Sequence, residues 1–571
     1  MRLVIRYALV ALAPLILLAW LWLAGTYSAL RDSVGIAFVT TGFVTVFAWR
    51  GGSHRKPAFR GQFLRAFSIP QVYAWLIACW VLLGVLDRAM EPAPLPFTGH
   101  VASPVKVASQ AADLRIGLAL SGGGYRAALL HAGVLMELDQ RGIPISNISS
   151  VSGGSIIGAY IAQGGDPAEF VKAVINGRFR FKRELLSALN LPRWLLPFGA
   201  FSRRDVQAAI VHRVLLSSPS SASAKPPALI VAMTDISRGI SVGATDNGYL
   251  LAGPTTSRFF RTGEAITIDG LGDLATRVSI SGAFPGAFPA LRTNAIFTVN
   301  PEPLATSSDV REIGMTLVDG GVRDNLGLKL LENADASARG TSPTFVPWSG
   351  FQLGEEWKLD LIVISDGGKS LEADENNKGL LSEVMRAIDV TGLETGIVRI
   401  MTPEPPKVAL SLPSSLSFGP DAIIVGFPHP HNAREQFFYF QPQQLDEATL
   451  DRIVELIPDR TTAKNTLDAY RRTRGPTNLT KVDLECVIPK KGSEDSTECR
   501  WWDLVRLVGT DIEGTVGVFR KSETLEDDYS EADATALVRL GRYLVLLNAR
   551  NLDETLTKAA ERKFPSRRKE P

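Results

Sequence analysis

Twice between Ile116 and Ala162 a strand-length run breaks off in a cluster of small residues and gives way to a longer apolar stretch. Ile116–Leu120 is followed by Ser121-Gly122-Gly123-Gly124 and then by Tyr125–Gln140. Ile148-Ser-Ser-Val151 is followed by Ser152-Gly153-Gly154 and then by Ser155–Ala162. Short runs of this kind fit strands, the longer ones fit helices, and the glycines supply the tight turn between them. Further strand-length runs lie at Ala228–Met233, Gly314–Val318 and Leu359–Ile364, with helix-length runs at Leu380–Asp389 and Glu531–Leu547. The alternation predicts an α/β domain of three layers with a mainly parallel sheet, over residues 114–550. Residues 488–530 are polar and acid-rich and read as an irregular insertion, and 551–571 read as a basic tail.

A different pattern precedes this domain. Tyr7 to Ser28 is uncharged and long enough to cross a bilayer as a helix; Val34–Trp49 and Ser68–Leu86 are also uncharged, the second of them with Trp75 and Trp80 as interface anchors. Three such runs predict a transmembrane module over residues 1–90, joined by a proline-rich linker over 91–113. Val34–Trp49 is short and is the doubtful span. Arg2 and Arg6 flank the first run, and Arg50, Arg55, Lys56, Arg60 and Arg65 fill the loop before the third with no acid among them. Positive loops stay inside, so three spans leave everything after Asp87 on the outer face. In a bacterial inner membrane that face is periplasmic. With 61 basic residues against 59 acidic, the formal net charge is +2, which gives no support to nucleic-acid binding.

Three glycines opening a helix leave backbone N–H groups uncovered at its positive end, a place for a phosphate or an oxyanion. Gly122, Gly124 and Ala127 also fit a dinucleotide pattern, but that reading wants an acid at the end of the next strand, where Ile145-Ser-Asn-Ile-Ser-Ser stands. Ser152 has the setting of a nucleophile elbow, although Ser150 replaces the first glycine of the usual form. A serine needs a base, and Asp319-Gly320-Gly321 and Asp366-Gly367-Gly368 each offer one at a strand end. His429 or His431 would complete a triad in the order serine, acid, histidine, but both sit in a proline-broken loop. His131, on the helix after the glycine turn, reads as a packed helix residue.

Gly-Gly-Gly-x-Arg, Ser-x-Ser-Gly-Gly and Asp-Gly-Gly-x-x-Asp-Asn, in that order, resemble the patatin-like phospholipases. Ser281-Gly-Ala-Phe-Pro285-Gly-Ala-Phe288-Pro289 is similar to that family's Pro-x-x-Phe-Pro block. The resemblance covers Leu114 to Gly368, and more loosely Leu537–Leu547. It implies Ser152 as nucleophile, Asp319 as general base, the Gly122, Gly123 and Gly124 amides as oxyanion hole, and an anion-orienting role for Arg126. Asp366 is set aside, since it matches the apolar strand that follows the base. The substrate implied is a lipid acyl ester, a phospholipid or lysophospholipid, with no cofactor. No Asp/Glu/His cluster in the sequence has metal-ligand spacing, so neither zinc nor calcium is expected. A catalytically silent scaffold of the same fold is the alternative. Arg178-Phe-Arg-Phe-Lys-Arg183 and the Leu/Trp-rich residues after it have the composition of a membrane-interface segment, and equally of a core helix with a basic cap. Cys486 and Cys499 flank a polar run and would close it as a disulfide in an oxidising compartment, or stand as unrelated thiols.

Overall fold

The computed structural model describes residues 113–181, 203–216, 226–252, 264–285, 288–299, 310–340, 345–347, 353–368, 417–418, 422–427, 429–430, 433, 445–473, 497–524 and 526–564. All of them lie in the compact unit formed by Pro92–Leu186 and Asn190–Pro571. The three apolar runs of the first ninety positions and the helix expected at Leu380–Asp389 lie outside the described residues. Among the described residues no helix is long and apolar enough to cross a membrane.

Among the described residues, twelve strands form one mixed sheet. They are β1 (Ile116–Leu120), β2 (Asn147–Val151), β3 (Ala228–Asp235), β4 (Ile240–Ala244), β5 (Gly248–Ala252), β6 (Glu264–Ile268), β7 (Leu291–Val299), β8 (Val310–Asp319), β9 (Phe345–Pro347), β10 (Leu361–Ser365), β11 (Ser417–Phe418) and β12 (Ala422–Gly426). Their main order is β11-β12-β10-β1-β2-β3-β4-β5-β9, with β8 also on β3, β7 on β8 and β6 on β7. The expected parallel pairing holds for β12, β10, β1, β2 and β3, and every pairing outward from there is antiparallel. The helices are α1 (Gly124–Gln140), α2 (Gly153–Ala162), α3 (Pro167–Ile175), α4 (Arg203–Val211), α5 (Leu274–Ser281), α6 (Leu328–Ala338), α7 (Glu447–Leu456), α8 (Arg460–Thr473), α9 (Thr497–Lys521), α10 (Glu531–Leu547) and α11 (Ala549–Lys563).

Three layers follow from the period of the strands. Ile116, Leu118 and Leu120 of β1, with Leu361 and Val363 of β10, enter one core with α1 and α10. Ala119, Ile362 and Ile364 point the other way, into a second core with Leu328, Leu330 and Leu331 of α6. Alternate residues of a strand face opposite sides, so a run apolar throughout is a strand covered twice. On the first face α1 and α10 cross in contact. A Cβ on Gly133 would strike the Val538 carbonyl, and one on Gly541 the Leu130 carbonyl, so reciprocal glycines set this spacing. Beside the crossing, the buried Glu137 carboxylate accepts from Arg452 Nε at 2.7 Å and from Arg542 Nε at 3.0 Å, tying α7 and α10 to α1.

Two expectations are corrected. Within 488–530, read as irregular, Thr497–Lys521 is one helix of 25 residues. Leu504, Val505, Val508, Ile512, Val516 and Phe519 bury a continuous stripe, and Asp503, Asp511 and Glu513 on the remaining faces hid it. Within 551–571, read as tail, residues up to Lys563 belong to α11, which buries Leu552, Leu556 and Ala559.

Candidate active site

β3 brings the elbow serine and the acid together. Along one edge it pairs with β2 as far as Val151 opposite Ala232, and there β8 takes over, with Asp319 opposite Met233. Two strand ends therefore meet on neighbouring residues of a third strand. Ser152 is the residue after β2 and Asp319 the last of β8. The Ser152 hydroxyl donates to Asp319 Oδ2 at 2.9 Å, across 167 positions of sequence.

The elbow is strained. Ser152 has φ 50° and ψ −117°, and among the described residues it is the only non-glycine with positive φ. Such a conformation costs of order 1–3 kcal/mol and persists only where its surroundings enforce it. The Ser152 amide donates to Ser281 Oγ at 2.9 Å, and Ser281 Oγ lies 2.8 Å from Ser155 Oγ. On the next residue a Cβ would strike the Gly124 carbonyl, so Gly153 lets α2 start against the first glycine turn.

Asp319 is 4% exposed. Its Oδ1 accepts the Gly321 amide at 2.7 Å, and its own amide donates to the Ala283 carbonyl at 3.1 Å. Burial pushes its carboxyl up from the ordinary 3.8 to about 7, against the opposing pull of the Gly321 amide and the Ser152 hydroxyl. A carboxyl in that range takes and returns a proton near neutrality.

The glycine turn lies beside both residues, though not all of it is available. The Gly122 amide is spent on the Asn325 carbonyl at 2.9 Å, which removes it from the expected trio. Gly123 and Gly124 have positive φ and begin α1, whose first amides have no carbonyl within the helix to bond. Gly124 carries φ 66°, and a Cβ there would collide with the Thr524 carbonyl. Gly124 and Gly153 line the cleft with Ser152 and Asp319, so the residue after the serine joins the turn as a source of amides. Tyr125, Ile156, Phe181, Phe284 and Phe288 make the apolar walls, and Thr524 and Asp527 close one side. The described residues enclose about 70 Å³, a throat rather than the roughly 300–1,000 Å³ of a full ligand pocket.

Arg126 does not line this cleft. It is wholly buried, donates to the Ser522 carbonyl at 2.9 Å and the Gly367 carbonyl at 3.4 Å, and lies 4.7 Å from the Phe519 ring centroid. An arginine so held braces the turn against the end of α9 and replaces the anion-orienting part expected of it. Asp366 bonds the Gly368 amide at 2.8 Å within its own turn, and the neighbouring Gly367 amide donates to Ser121 Oγ at 2.7 Å. His131 Nε2 faces the Ser121 carbonyl at 3.0 Å and so carries the proton, leaving Nδ1 to accept from Ser365 at 2.8 Å. Burial lowers its pKa to about 4, against the opposing Ser121 bond and Asp366 charge, so it stays neutral beneath the turn. His429 bonds the Gly368 carbonyl through Nε2 at 3.0 Å and meets the edge of Phe519. His431 and Cys486 lie outside the described residues, while Cys499 falls in α9. Of the basic-aromatic segment, Phe179 is in the core against Tyr125 and Phe170, Phe181 packs on Phe288 in the cleft, and Arg180 pairs with Asp528 at 2.7 Å.

Sequence reasoning missed the contributions of Ser281, Ala283, Asn325, Thr524 and Asp527. The first two sit in the block noted only for its proline and phenylalanine spacing; the last two come from the connection between α9 and α10, which carries no motif.

A strained serine between strand and helix, an acid in hydrogen-bonding reach and a glycine turn at a helix start are the features of a nucleophile-elbow arrangement. Residues 118–331 match the family described as patatin-like phospholipase, and the chain carries a patatin-like phospholipase domain there. Among solved structures, human GIVD cytosolic phospholipase A2 in complex with methyl gamma-linolenyl fluorophosphonate is similar at 13% identity and TM-score 0.34, over 79% of this chain and 60% of that one. Human GIVD cytosolic phospholipase A2 alone gives 12% identity and TM-score 0.37, over 78% and 60%. The chain spans about three-fifths of the length of those proteins.

Proposed function

We propose that this chain is a membrane-anchored serine acyl hydrolase acting on the acyl esters of phospholipids or lysophospholipids through a Ser152–Asp319 dyad. One observation carries the reading: the 2.9 Å bond from the hydroxyl of a strained elbow serine to a buried carboxylate whose pKa burial has pushed up to about 7. Asp319, with its second oxygen held by the Gly321 amide, takes the Ser152 proton as Oγ attacks the ester carbonyl. The Gly123 and Gly124 amides, with Gly153 beside them, meet the charge that develops on the carbonyl oxygen. Collapse expels the alcohol, which receives the proton from Asp319, and leaves the acyl group on Ser152. Water then attacks that ester, Asp319 takes its proton, and the acid leaves as Oγ is reprotonated.

Support for a dyad over a triad is that Asp319 meets Ser152 directly while His429 is committed to the Gly368 carbonyl. Support for an apolar substrate comes from the tyrosine, isoleucine and phenylalanine walls of the throat. The anchor rests on the uncharged runs within residues 7–86, and the placement of the domain outside the cytoplasm on the basic loop over 50–65. Purified protein should hydrolyse a lysophospholipid and take a fluorophosphonate probe on Ser152, and Ser152→Ala should do neither. A folded parent protein inert to both would leave the catalytically silent scaffold instead.

A further inference from the structure

We propose that Ser281 is a positioning residue for the nucleophile, and that residues 281–283 form a clamp fixing Ser152 against Asp319. The inference rests on the reading of Ser152 as nucleophile and adds a residue that sets its geometry. The segment grips both partners. Ser281 Oγ, at the end of α5, accepts the Ser152 amide at 2.9 Å, and two residues on the Ala283 carbonyl accepts the Asp319 amide at 3.1 Å. The backbone of the serine and the backbone of the acid thus hang from one short piece of chain, which holds fast the bond between their side chains.

Ser152 gives this grip a purpose. Its φ of 50° belongs to glycine, and relaxing that angle would swing Oγ away from Asp319. Its amide bond to Ser281 opposes such relaxation from a rigid place, because Ser281 is wholly buried and ends α5, where the Gly282 amide bonds back to the Val278 carbonyl at 3.0 Å; its hydroxyl also lies beside that of Ser155 in α2. The acceptor, Ser281 Oγ, belongs to a wholly buried side chain, and an amide that loses such an acceptor is left short of a hydrogen bond. Displacement of a reacting group by about 1 Å can cost on the order of a hundredfold in rate.

Ser155 provides the control. Ser281→Ala removes the acceptor of the Ser152 amide together with the bond to Ser155. Ser155→Ala removes only the bond between the hydroxyls, and leaves Ser281 Oγ facing the amide. Both delete one buried oxygen, so a purely structural part predicts equal effects. The full-length protein in detergent would be assayed on a lysophospholipid, at least ten degrees below the melting temperature of each variant. We expect Ser281→Ala to lower kcat roughly tenfold to a hundredfold, about 1.4 to 2.7 kcal/mol at 1.36 per decade, with KM unchanged within about twofold. The rate of fluorophosphonate labelling should fall by the same factor, and the acid limb of the pH profile should stay near 7, since Asp319 keeps its surroundings. Ser155→Ala should stay within about threefold of the parent, and Ser281→Thr, which keeps the acceptor, should recover most of the loss. Equal losses in kcat from Ser281→Ala and Ser155→Ala would overturn the inference, as would a Ser281→Ala kcat within about twofold of the parent. Should Ser281→Thr fail to fold, the contrast between the two alanine variants still decides. Ser152→Ala run alongside separates the two levels: if it still hydrolyses ester, the nucleophile reading fails, and if it is inert while Ser281→Ala is normal, only the clamp fails.

Discussion

A pH series of ester hydrolysis from about 5 to 9 reads the charge on Asp319 through two observables that move in opposite directions. For activity, the base must be ionised. With its pKa at about 7, roughly one molecule in a hundred carries the carboxylate at pH 5. The acid limb of kcat/KM should therefore have unit slope and a midpoint near 7, and the value at pH 5 should lie about a hundredfold below the plateau. A carboxylate at the ordinary 3.8 would lose less than a tenth at pH 5. For stability the sign reverses. The folded pKa lies above the unfolded one, so between about pH 4 and 7 the native state holds a proton that the unfolded chain has released, and stability falls as pH rises through that window. Each unit corresponds to about 1.36 kcal/mol, so the whole shift sets a ceiling of about 4 kcal/mol, fully lost above pH 7. Asp319→Asn removes this titration and the activity together. Urea denaturation at pH 4.5 and 8 should thus move the stability difference, variant minus parent, toward the variant by a few kcal/mol at the higher pH. The reasoning is refuted if the acid limb falls near pH 4, if Asp319→Asn remains active, or if the stability difference is the same at both pH values.

The remaining predictions concern single residues. Ser152→Gly should be inactive yet more stable than the parent by about 1 kcal/mol in urea denaturation, because glycine adopts φ 50° without strain. Gly124→Ala, forced to φ 66° with its Cβ against the Thr524 carbonyl, should lose more than about 2 kcal/mol of stability and most turnover, measured by melting temperature and ester hydrolysis. Arg126→Met should destabilise by about 2–4 kcal/mol through lost bonds to Ser522 and Gly367, while the ratio of KM for anionic and zwitterionic vesicles stays unchanged; a rise confined to anionic vesicles would return Arg126 to anion binding. Cys486 and Cys499 should resist alkylation in unreduced native membranes, a bridge worth roughly 3 kcal/mol over that loop; two labelled thiols would remove this support for an outer-face location.

Local grammar and long-range geometry divide the legibility of this fold. β1, α1 and α10 stand nearly where their apolar patterns put them, because each buries a face long enough to dominate its own composition. α9 and α11 bury equally continuous stripes but carry so many charges on their other faces that average polarity concealed them. β4, with Ser241 and Gly243 inside its five residues, offered no run, and β5 offered only the short apolar stretch Tyr249–Ala252. The site divides in the same way. Ser152 and Asp319 betray themselves through small neighbours that any strand-end turn would demand, so each was readable where it stands. What joins them was not, since it depends on β3 accepting β2 and then β8 along a single edge. The same holds for Gly122, whose amide is spent on a carbonyl two hundred residues later, and for Arg126, whose neighbour in space, Ser522, lies 396 positions on. A motif names residues that need special backbone. Which amide stays free, which arginine turns inward and which serine bonds the Ser152 amide are settled by distant segments; Asn325 and Ser281 lie in motifs that give no sign of these bonds, and the segment of Ser522 carries no motif.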